Sequence, residues 1–175
     1  MLILARSATK RGGPEHIPAI ERYNGPLWRT LRAIDPAGEK AKVAFVSARL
    51  GFRAASVPIE MYDARITEEM AEAMKAGYLG TRWPHPKTQR RVMPSGEHPG
   101  MHIYRLCGFH ERRAFCDVAL VGGHFYLDVM RHLVDLFQKG GYVAADARIT
   151  EINGPIGLMR RDLRCWLEGH DGEAR

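Results

Sequence analysis

Three side chains that could do chemistry follow a short apolar run in the first half of the chain. Residues 43–46 are continuously apolar, as expected for a strand buried on both faces, and Ser47 stands where the run stops. Tyr62 and Asp63 follow before the next helical pattern begins. Because function in an open α/β sheet usually gathers where strands end, these three are candidate catalytic residues, with Asp63 as a general base or as the group that orients a water.

The loop after the first predicted strand carries groups suited to an anion. That strand, residues 2–5, delivers Ser7 and Lys10 into a glycine-containing loop. The loop lacks the spacing of a phosphate-binding P-loop and of a dinucleotide-binding glycine fingerprint. A solvated basic turn is therefore the alternative to an anion site.

A second glycine turn joins an apolar strand at 117–123 to a strongly amphipathic helix that starts at His124. The glycines allow the backbone to approach a ligand, and the amides of the helix start favour an anion. Gly123, His124 and Tyr126 would stand at the mouth of this site. The alternative is a tight turn that needs glycine for its geometry, with His124 only capping the helix.

The stretch from 81 to 100 is basic and rich in proline, with little periodicity, which predicts an exposed irregular insertion. An aromatic ring among cations suits contact with phosphates and exposed bases. The alternative is a basic loop whose tryptophan packs back onto the core. The residues concerned are Arg82, Trp83, Lys87, Arg90 and Arg91.

Several residues that can ligate a metal occur between positions 102 and 124. They are His102, Cys107, His110, Cys116 and His124. Structural zinc sites usually show close ligand pairs at both ends, whereas here only Cys107 and His110 are closely paired. We therefore expect neither a metal nor another cofactor.

Length and composition favour one soluble domain. The 175 residues are 45% hydrophobic, enough for one core and too few for two comfortable domains. A formal charge of +6 attracts polyanions, although an ordinary basic protein would show the same charge. Three cysteines fit reduced thiols, no apolar run could span a bilayer, and the N-terminal apolar residues precede the charges, unlike a secretory signal. We expect a cytoplasmic protein without a membrane partner.

Strand and helix patterns alternate along the chain, apart from the insertion. This order predicts a three-layer α/β fold, with a mostly parallel central sheet flanked by helices, as a single domain over residues 1–175. Pro26 and Thr67 mark two helix starts. Met70, Met74 and Tyr78 recur every four residues and predict the buried face of the helix that follows Thr67. Ile156 is expected on the inward face of the closing helix.

Two segments resemble a known family. IERYNGPLWRTLRAID from Ile20 and FVSARLGFRAASVPIEMYDARIT from Phe45 resemble the YaaA superfamily and its smaller domain-of-unknown-function relatives in phage and bacteria. In those families an aromatic-Asn/Thr-Gly segment opens a helix, and a strand that ends in Ser leads to a Pro-Tyr or Tyr-Asp pair. VGGHFYLDVM from Val121 looks like a later strand and helix start of the same relatives. The matching positions are Ser7, Lys10, Tyr23, Asn24, Gly25, Ser47, Gly51, Tyr62, Asp63, Gly123 and Tyr126.

The resemblance implies an α/β fold, a peroxide-stress role and DNA binding. It also extends the candidate ligand-binding set, which becomes Ser7, Lys10, Tyr23, Asn24, Gly25, Gly123, His124 and Tyr126. The chain departs from the family in two places. Ala8 and Thr9 replace a Cys-Gly pair of the smaller relatives, and Asp63 replaces an arginine of the YaaA loops.

Three functions remain open on these residues. We expect a nucleic-acid-binding protein, with DNA favoured over RNA. Binding is favoured over catalysis because a single carboxylate without a visible partner is weak evidence for catalysis. The first alternative is an N-glycosidase-like hydrolase of a nucleotide or modified base, in which Asp63 acts and Tyr23, Tyr62 or Tyr126 stacks the base. The second is a small non-catalytic partner-binding protein.

Overall fold

A five-stranded sheet lies at the centre of the computed structural model, which describes residues 1–83, 98–108 and 113–169. Its strands are β1 (Leu2–Ala5), β3 (Val43–Ser47), β4 (Gly51–Ala54), β6 (Phe115–Val121) and β7 (Val143–Ile152). They are ordered β4-β3-β1-β6-β7, and only β4 runs antiparallel to its neighbour. A two-stranded sheet of β2 (Ile17–Pro18) and β5 (Pro58–Ile59) lies apart from it.

Helices cover both faces of this sheet. They are α1 (Ala19–Arg22), α2 (Pro26–Ile34), α3 (Glu68–Lys75), α4 (Pro99–Cys107), α5 (His124–Lys139) and α6 (Ile156–Gly169). Leu2 and Leu4 share one core cluster with α2 and α6, whereas Ile3 shares the other with α3, α4 and α5. Strand residues that alternate between two covered faces are apolar throughout, which explains the continuous apolar runs. The predicted three-layer α/β fold is confirmed.

The connections create a topological switch point at the carboxyl ends of the neighbouring strands β1 and β6. From β1 the chain passes through α2 on one face and reaches β3, while from β6 it passes through α5 on the opposite face and reaches β7. The two connections therefore run in opposite directions from neighbouring strands. Open α/β sheets bind ligands at the carboxyl ends of such a strand pair.

The buried faces predicted from periodicity are only partly correct. Helix α3 ends at Lys75, so Tyr78 lies beyond it and is 76% exposed, and Met70 is exposed as well. Ile156 begins α6 and is 49% exposed, although Met159 and Leu163 of that helix are buried as predicted. The first turn of a helix extends beyond the elements that pack against it, which explains why an apolar residue at the helix terminus is exposed.

Part of the predicted irregular insertion is helical. Helix α4 begins at Pro99. The preceding residue, His98, caps it, because its ring nitrogen accepts a hydrogen bond from the backbone amide of Met101. Proline suits a first helical position because its missing N–H needs no partner there. Residues 84–97 of the insertion lie outside the described residues. In the described part of the chain, no helix is both long enough and apolar enough to cross a bilayer, and Cys107, Cys116 and Cys165 are free.

Candidate functional site

An open crevice of about 410 Å³ lies at the carboxyl ends of β1 and β6. We call it the β1–β6 crevice. One wall is the loop after β1, a second is the start of α2, a third is the glycine turn into α5, and the fourth is apolar and belongs to α6. Its volume falls in the range of small-ligand pockets. Four predicted ligand-binding residues line it: Ser7, Gly25, Gly123 and Tyr126.

Ser7 is one of the enclosed polar residues of this crevice. It is 8% exposed, and its hydroxyl makes no hydrogen bond with any part of the chain that the structure describes. The hydroxyl lies against Gly25, where a Cβ atom would come within 2.3 Å of Ser7 Oγ. Gly25 therefore permits a close approach that any other residue would block. A hydroxyl that lines a crevice and has no partner in the protein is suited to bond a ligand.

Two helices begin at the β1–β6 crevice. Gly25 is the N-cap of α2 and Gly123 is the N-cap of α5, and neither cap contributes a side-chain hydrogen bond. Gly122 lets α5 start close to β1, because a Cβ there would lie 2.9 Å from Ala5 Cβ. The amide groups and dipoles of helix starts favour negative charge. Both ends therefore add positive potential at the same place.

Arg6 and Lys10 bring two cations to the same region. The Arg6 side chain is 5% exposed, and its Nη1 lies 3.6 Å from Asp63 Oδ1. Lys10 Nζ lies 4.5 Å from the centre of the Tyr62 ring, a cation–π distance. Burial lowers the pKa of Lys10, and the nearby Arg6 charge adds to that effect. Arg6 was not among the residues predicted from the sequence, although its position directly after β1 was an available signal.

Tyr62 and Ser47, two of the three candidate catalytic residues, lie in contact. The Tyr62 hydroxyl lies 2.7 Å from Ser47 Oγ and also forms a hydrogen bond with the Tyr23 hydroxyl. Burial raises the pKa of both phenols. They therefore stay neutral near pH 7 and cannot serve as general bases there. The three hydroxyls fix the loop that carries Tyr62 against the end of β3.

Tyr23 and Asn24 play structural roles. Tyr23 is fully buried, with its ring 4.9 Å from that of Trp28 and 5.3 Å from that of Phe45, so a base cannot reach it. The Asn24 side-chain oxygen accepts a 2.9 Å hydrogen bond from Arg32 and a weaker one from Arg11. Both were expected to touch a ligand. Tyr23 instead packs in the core, and Asn24 binds the side chains of two arginines near the start of α2.

Asp63 does not have the surroundings of a buried general base. Its side chain is 88% exposed, and its ion-pair partner is the enclosed Arg6. A carboxylate that acts as a base usually has a raised pKa from burial or from a second carboxylate. The geometry favours a counter-ion role for Asp63.

Tyr126 and His124 lie at the start of α5. The Tyr126 hydroxyl is buried and forms no hydrogen bond of good geometry among the described residues. Burial raises its pKa, and the neighbouring Arg6 opposes that rise. His124 is exposed, and its ring centre lies 4.0 Å from that of Phe125. Of the two, only Tyr126 lines the crevice.

Trp83 packs onto the turn between β3 and β4. Its indole N–H donates a 2.7 Å hydrogen bond to the Ala48 carbonyl, and a Cβ on Gly51 would lie 2.9 Å from Trp83 Cβ. This is the alternative that the sequence left open, in which the tryptophan is held by the core. Arg82 is exposed only in part, and Lys87, Arg90 and Arg91 lie outside the described residues.

One cluster of metal-capable side chains occurs among residues 1–83, 98–108 and 113–169. It consists of the exposed Glu15, His16 and Glu60. The buried Arg22 guanidinium bonds the Glu15 carbonyl at 2.9 Å, which places a positive charge behind the cluster. The three side chains are exposed and His16 already forms a hydrogen bond with Glu60, so we assign no metal there. His110, one of the residues considered for zinc, lies outside the described residues.

Comparison with known proteins gives no significant match to a protein-family model, to a curated protein or to a solved structure. The resemblance to the YaaA superfamily therefore stays a prediction. Function has to be argued from the β1–β6 crevice itself.

Proposed function

We propose that the protein binds nucleic acid, with a phosphate group seated in the β1–β6 crevice. The observation that carries this proposal is the hydroxyl of Ser7, an enclosed residue, which has no hydrogen-bond partner among the described residues and lines the crevice between two uncapped helix starts. Arg6 supplies an enclosed positive charge beside it. These groups are of the kind that proteins use to hold phosphate oxygens.

Further cations lie near the start of α2, outside the lining of the crevice. Asn24 holds the side chains of Arg11 and Arg32, and Arg29 is exposed on the first turn of α2. Burial lowers the pKa of Arg32, and the charges of Arg11 and Arg29 lower it further. This effect of the two charges indicates that the three guanidinium groups lie close together. Together with the net charge of +6, they favour a polyanion with several phosphates over a neutral ligand.

Binding is favoured over base hydrolysis. The hydrolase alternative needs Asp63 as a base and tyrosines that stack, yet Asp63 is exposed and paired with Arg6, and Tyr23 is closed off by the core. Preference for DNA over RNA stays a prediction, as does the cytoplasmic location.

The test is the affinity for single-stranded DNA, duplex DNA and RNA of one sequence, measured by fluorescence anisotropy over a range of salt concentrations. We expect binding that weakens as salt rises. Lys10→Gln should lower affinity several-fold and reduce the salt slope by about one phosphate contact. Arg131→Gln removes the same charge from the exposed middle of α5, outside the crevice, and should have a smaller effect. No retention of any nucleic acid at low salt would overturn the proposal and favour a partner-binding protein.

A further inference from the structure

The β1–β6 crevice has features that distinguish between two kinds of phosphate. An internal phosphodiester carries one negative charge, whereas a terminal phosphate monoester carries about −1.5 to −2 near pH 7 and presents three free oxygens. This difference in charge is large enough for a site with several positive groups to discriminate between the two kinds of phosphate. The following inference rests on the proposed function and specifies the ligand of the same site.

The positive groups of the crevice are numerous for one phosphate. The starts of α2, a helix of 9 residues, and α5, a helix of 16 residues, both lie on its wall. Each start contributes about half a positive charge. The guanidinium of Arg6 adds a full charge and is almost completely enclosed, so it is screened little by solvent. Asp63, the ion-pair partner of Arg6, offsets part of this charge unless its exposed carboxylate turns into water. With that carboxylate turned away, the sum of about two positive charges suits a dianion better than a monoanion.

The unpartnered hydroxyl is the second, independent observation. Ser7 is more than nine-tenths buried and lines the crevice, and its hydroxyl bonds to no described group, whereas its backbone carbonyl accepts a hydrogen bond from Arg6. Gly25 allows the hydroxyl to sit at the N-cap of α2, where a side chain would displace it. A terminal phosphate has an oxygen to spare for this hydroxyl after the helix amides and Arg6 have been satisfied.

The opposite wall of the crevice is apolar. Leu27, Ile156 and Met159 line it, and Ile156 is half exposed at the first turn of α6. An exposed apolar residue beside a polar pocket is suited to the face of a sugar or a base. The crevice thus offers a phosphate end and an apolar end, within a volume that suits a small ligand rather than a duplex.

We propose that the β1–β6 crevice binds the terminal phosphate monoester of a nucleoside, carried by a mononucleotide or by the end of a nucleic-acid strand, in preference to an internal phosphodiester. Ser7 donates its hydroxyl hydrogen to a phosphate oxygen, and Arg6 neutralises the charge. The sugar and base lie toward α6.

The experiment uses the full chain and oligonucleotides of one sequence that differ only at one end. Each carries a 5′-phosphate, a 3′-phosphate or hydroxyls at both ends, with the fluorophore on the opposite end, and nucleoside monophosphates serve as competitors. We expect at least fivefold tighter binding of one phosphorylated end. Displacement by a monophosphate with similar affinity identifies a free nucleotide as the source, and weak displacement identifies a strand end.

The variant Ser7→Ala should reduce the preference for the phosphorylated end toward one, while Ser56→Ala, on an exposed loop outside the crevice, should keep it. Thermal unfolding shows whether Ser7→Ala remains folded. Salt-dependent binding with equal affinity for phosphorylated and unphosphorylated ends would overturn this inference and leave nucleic-acid binding in place. Tight monophosphate binding without binding of any oligonucleotide would support the phosphate site and overturn nucleic-acid binding.

Discussion

Arg6 and Asp63 form an ion pair whose two members differ in freedom. The Arg6 side chain is enclosed, whereas that of Asp63 is 88% exposed, so the carboxylate can turn into water while the guanidinium stays in place. An incoming phosphate would meet Arg6 already paired with this carboxylate. Asp63 thus competes with the ligand for one cation, which is a different role from that of a general base.

Asp63→Asn should therefore strengthen the binding of a phosphorylated oligonucleotide, by roughly two- to fivefold, because an exposed ion pair contributes up to about 1 kcal/mol. Anisotropy titrations measure this change, and Asp146→Asn on exposed β7 serves as the matched control. Chromatography of the same mixtures detects any released base. Unchanged affinity together with the loss of base release would instead support the hydrolase.

The hydroxyl of Tyr62 links two buried groups, Ser47 and Tyr23. Tyr62→Phe removes that hydroxyl and should lower the free energy of unfolding by about 1–3 kcal/mol, because two hydroxyls lose a partner. Urea denaturation measures the loss, with the exposed Tyr78→Phe as the control. Affinity for nucleic acid should stay within about twofold, since Lys10 keeps its aromatic ring. A large loss of affinity in a fully stable variant would show that the phenol touches the ligand.

Residue types alone predicted some of these contacts and missed others. Ser47 and Tyr62 were candidates for one pocket because both follow the apolar strand at 43–46, although their contact itself was not predictable. Arg6 was missed because its role depends on burial, which a single arginine after a strand does not reveal. The burial of Tyr23 was missed for a similar reason, since the rings of Trp28 and Phe45 meet it only once the sheet and α2 have packed.

At the scale of elements, α2 and the loop after β1 meet at a single tight point. Gly25 has φ −71° and ψ 170°, an extended conformation that any residue can adopt. This position therefore requires glycine for steric reasons and not for its backbone angles. The atom that a side chain would meet is Ser7 Oγ, at 2.3 Å from a built Cβ. The position of the hydroxyl and the start of α2 are therefore coupled.

Gly25→Ala should destabilise the protein by about 1–3 kcal/mol and weaken phosphate binding, because the new methyl group must push Ser7 or the start of α2 aside. The cost should be smaller when Ser7→Ala is also present, which leaves only Cβ of residue 7, at 3.2 Å. A double-mutant cycle by chemical denaturation measures this coupling. Strictly additive effects would mean that the two positions do not press on one another.

Elements with strong start signals or long apolar periods were predictable, and short ones were not. The strands at β1 and β3 and the helix starts at Pro26, Thr67 and His124 agree with the sequence. Strand β4 has four residues and contains a buried arginine, Arg53, so no alternation distinguishes it from a turn. Helix α4 follows a basic, proline-rich stretch whose composition hid a capped start at His98.

The stability of the whole molecule below neutral pH depends on a buried histidine that is costly to charge. His102 on α4 is 1% exposed, and neither ring nitrogen has a partner among the described residues. Burial lowers its pKa to about 3, and the charges of Arg53, Arg105 and His98 add to the effect. His102 is therefore neutral in the folded protein, whereas in the unfolded chain it gains a proton below its ordinary pKa of 6.5.

The sign of the resulting pH dependence follows from proton counts. Between pH 6.5 and about 3 the unfolded chain binds a proton at His102 and the folded protein does not, so stability falls as the pH falls. Relative to His102→Leu, the native protein should lose about 1.4 kcal/mol per pH unit across this window, and the two should run parallel above pH 7. Urea denaturation at half-unit pH steps measures the difference, in which the many carboxylates common to both proteins cancel. Parallel curves between pH 6 and 5 would mean that His102 takes up a proton in the folded protein as it does in the unfolded chain, and that the core around α4 opens to water.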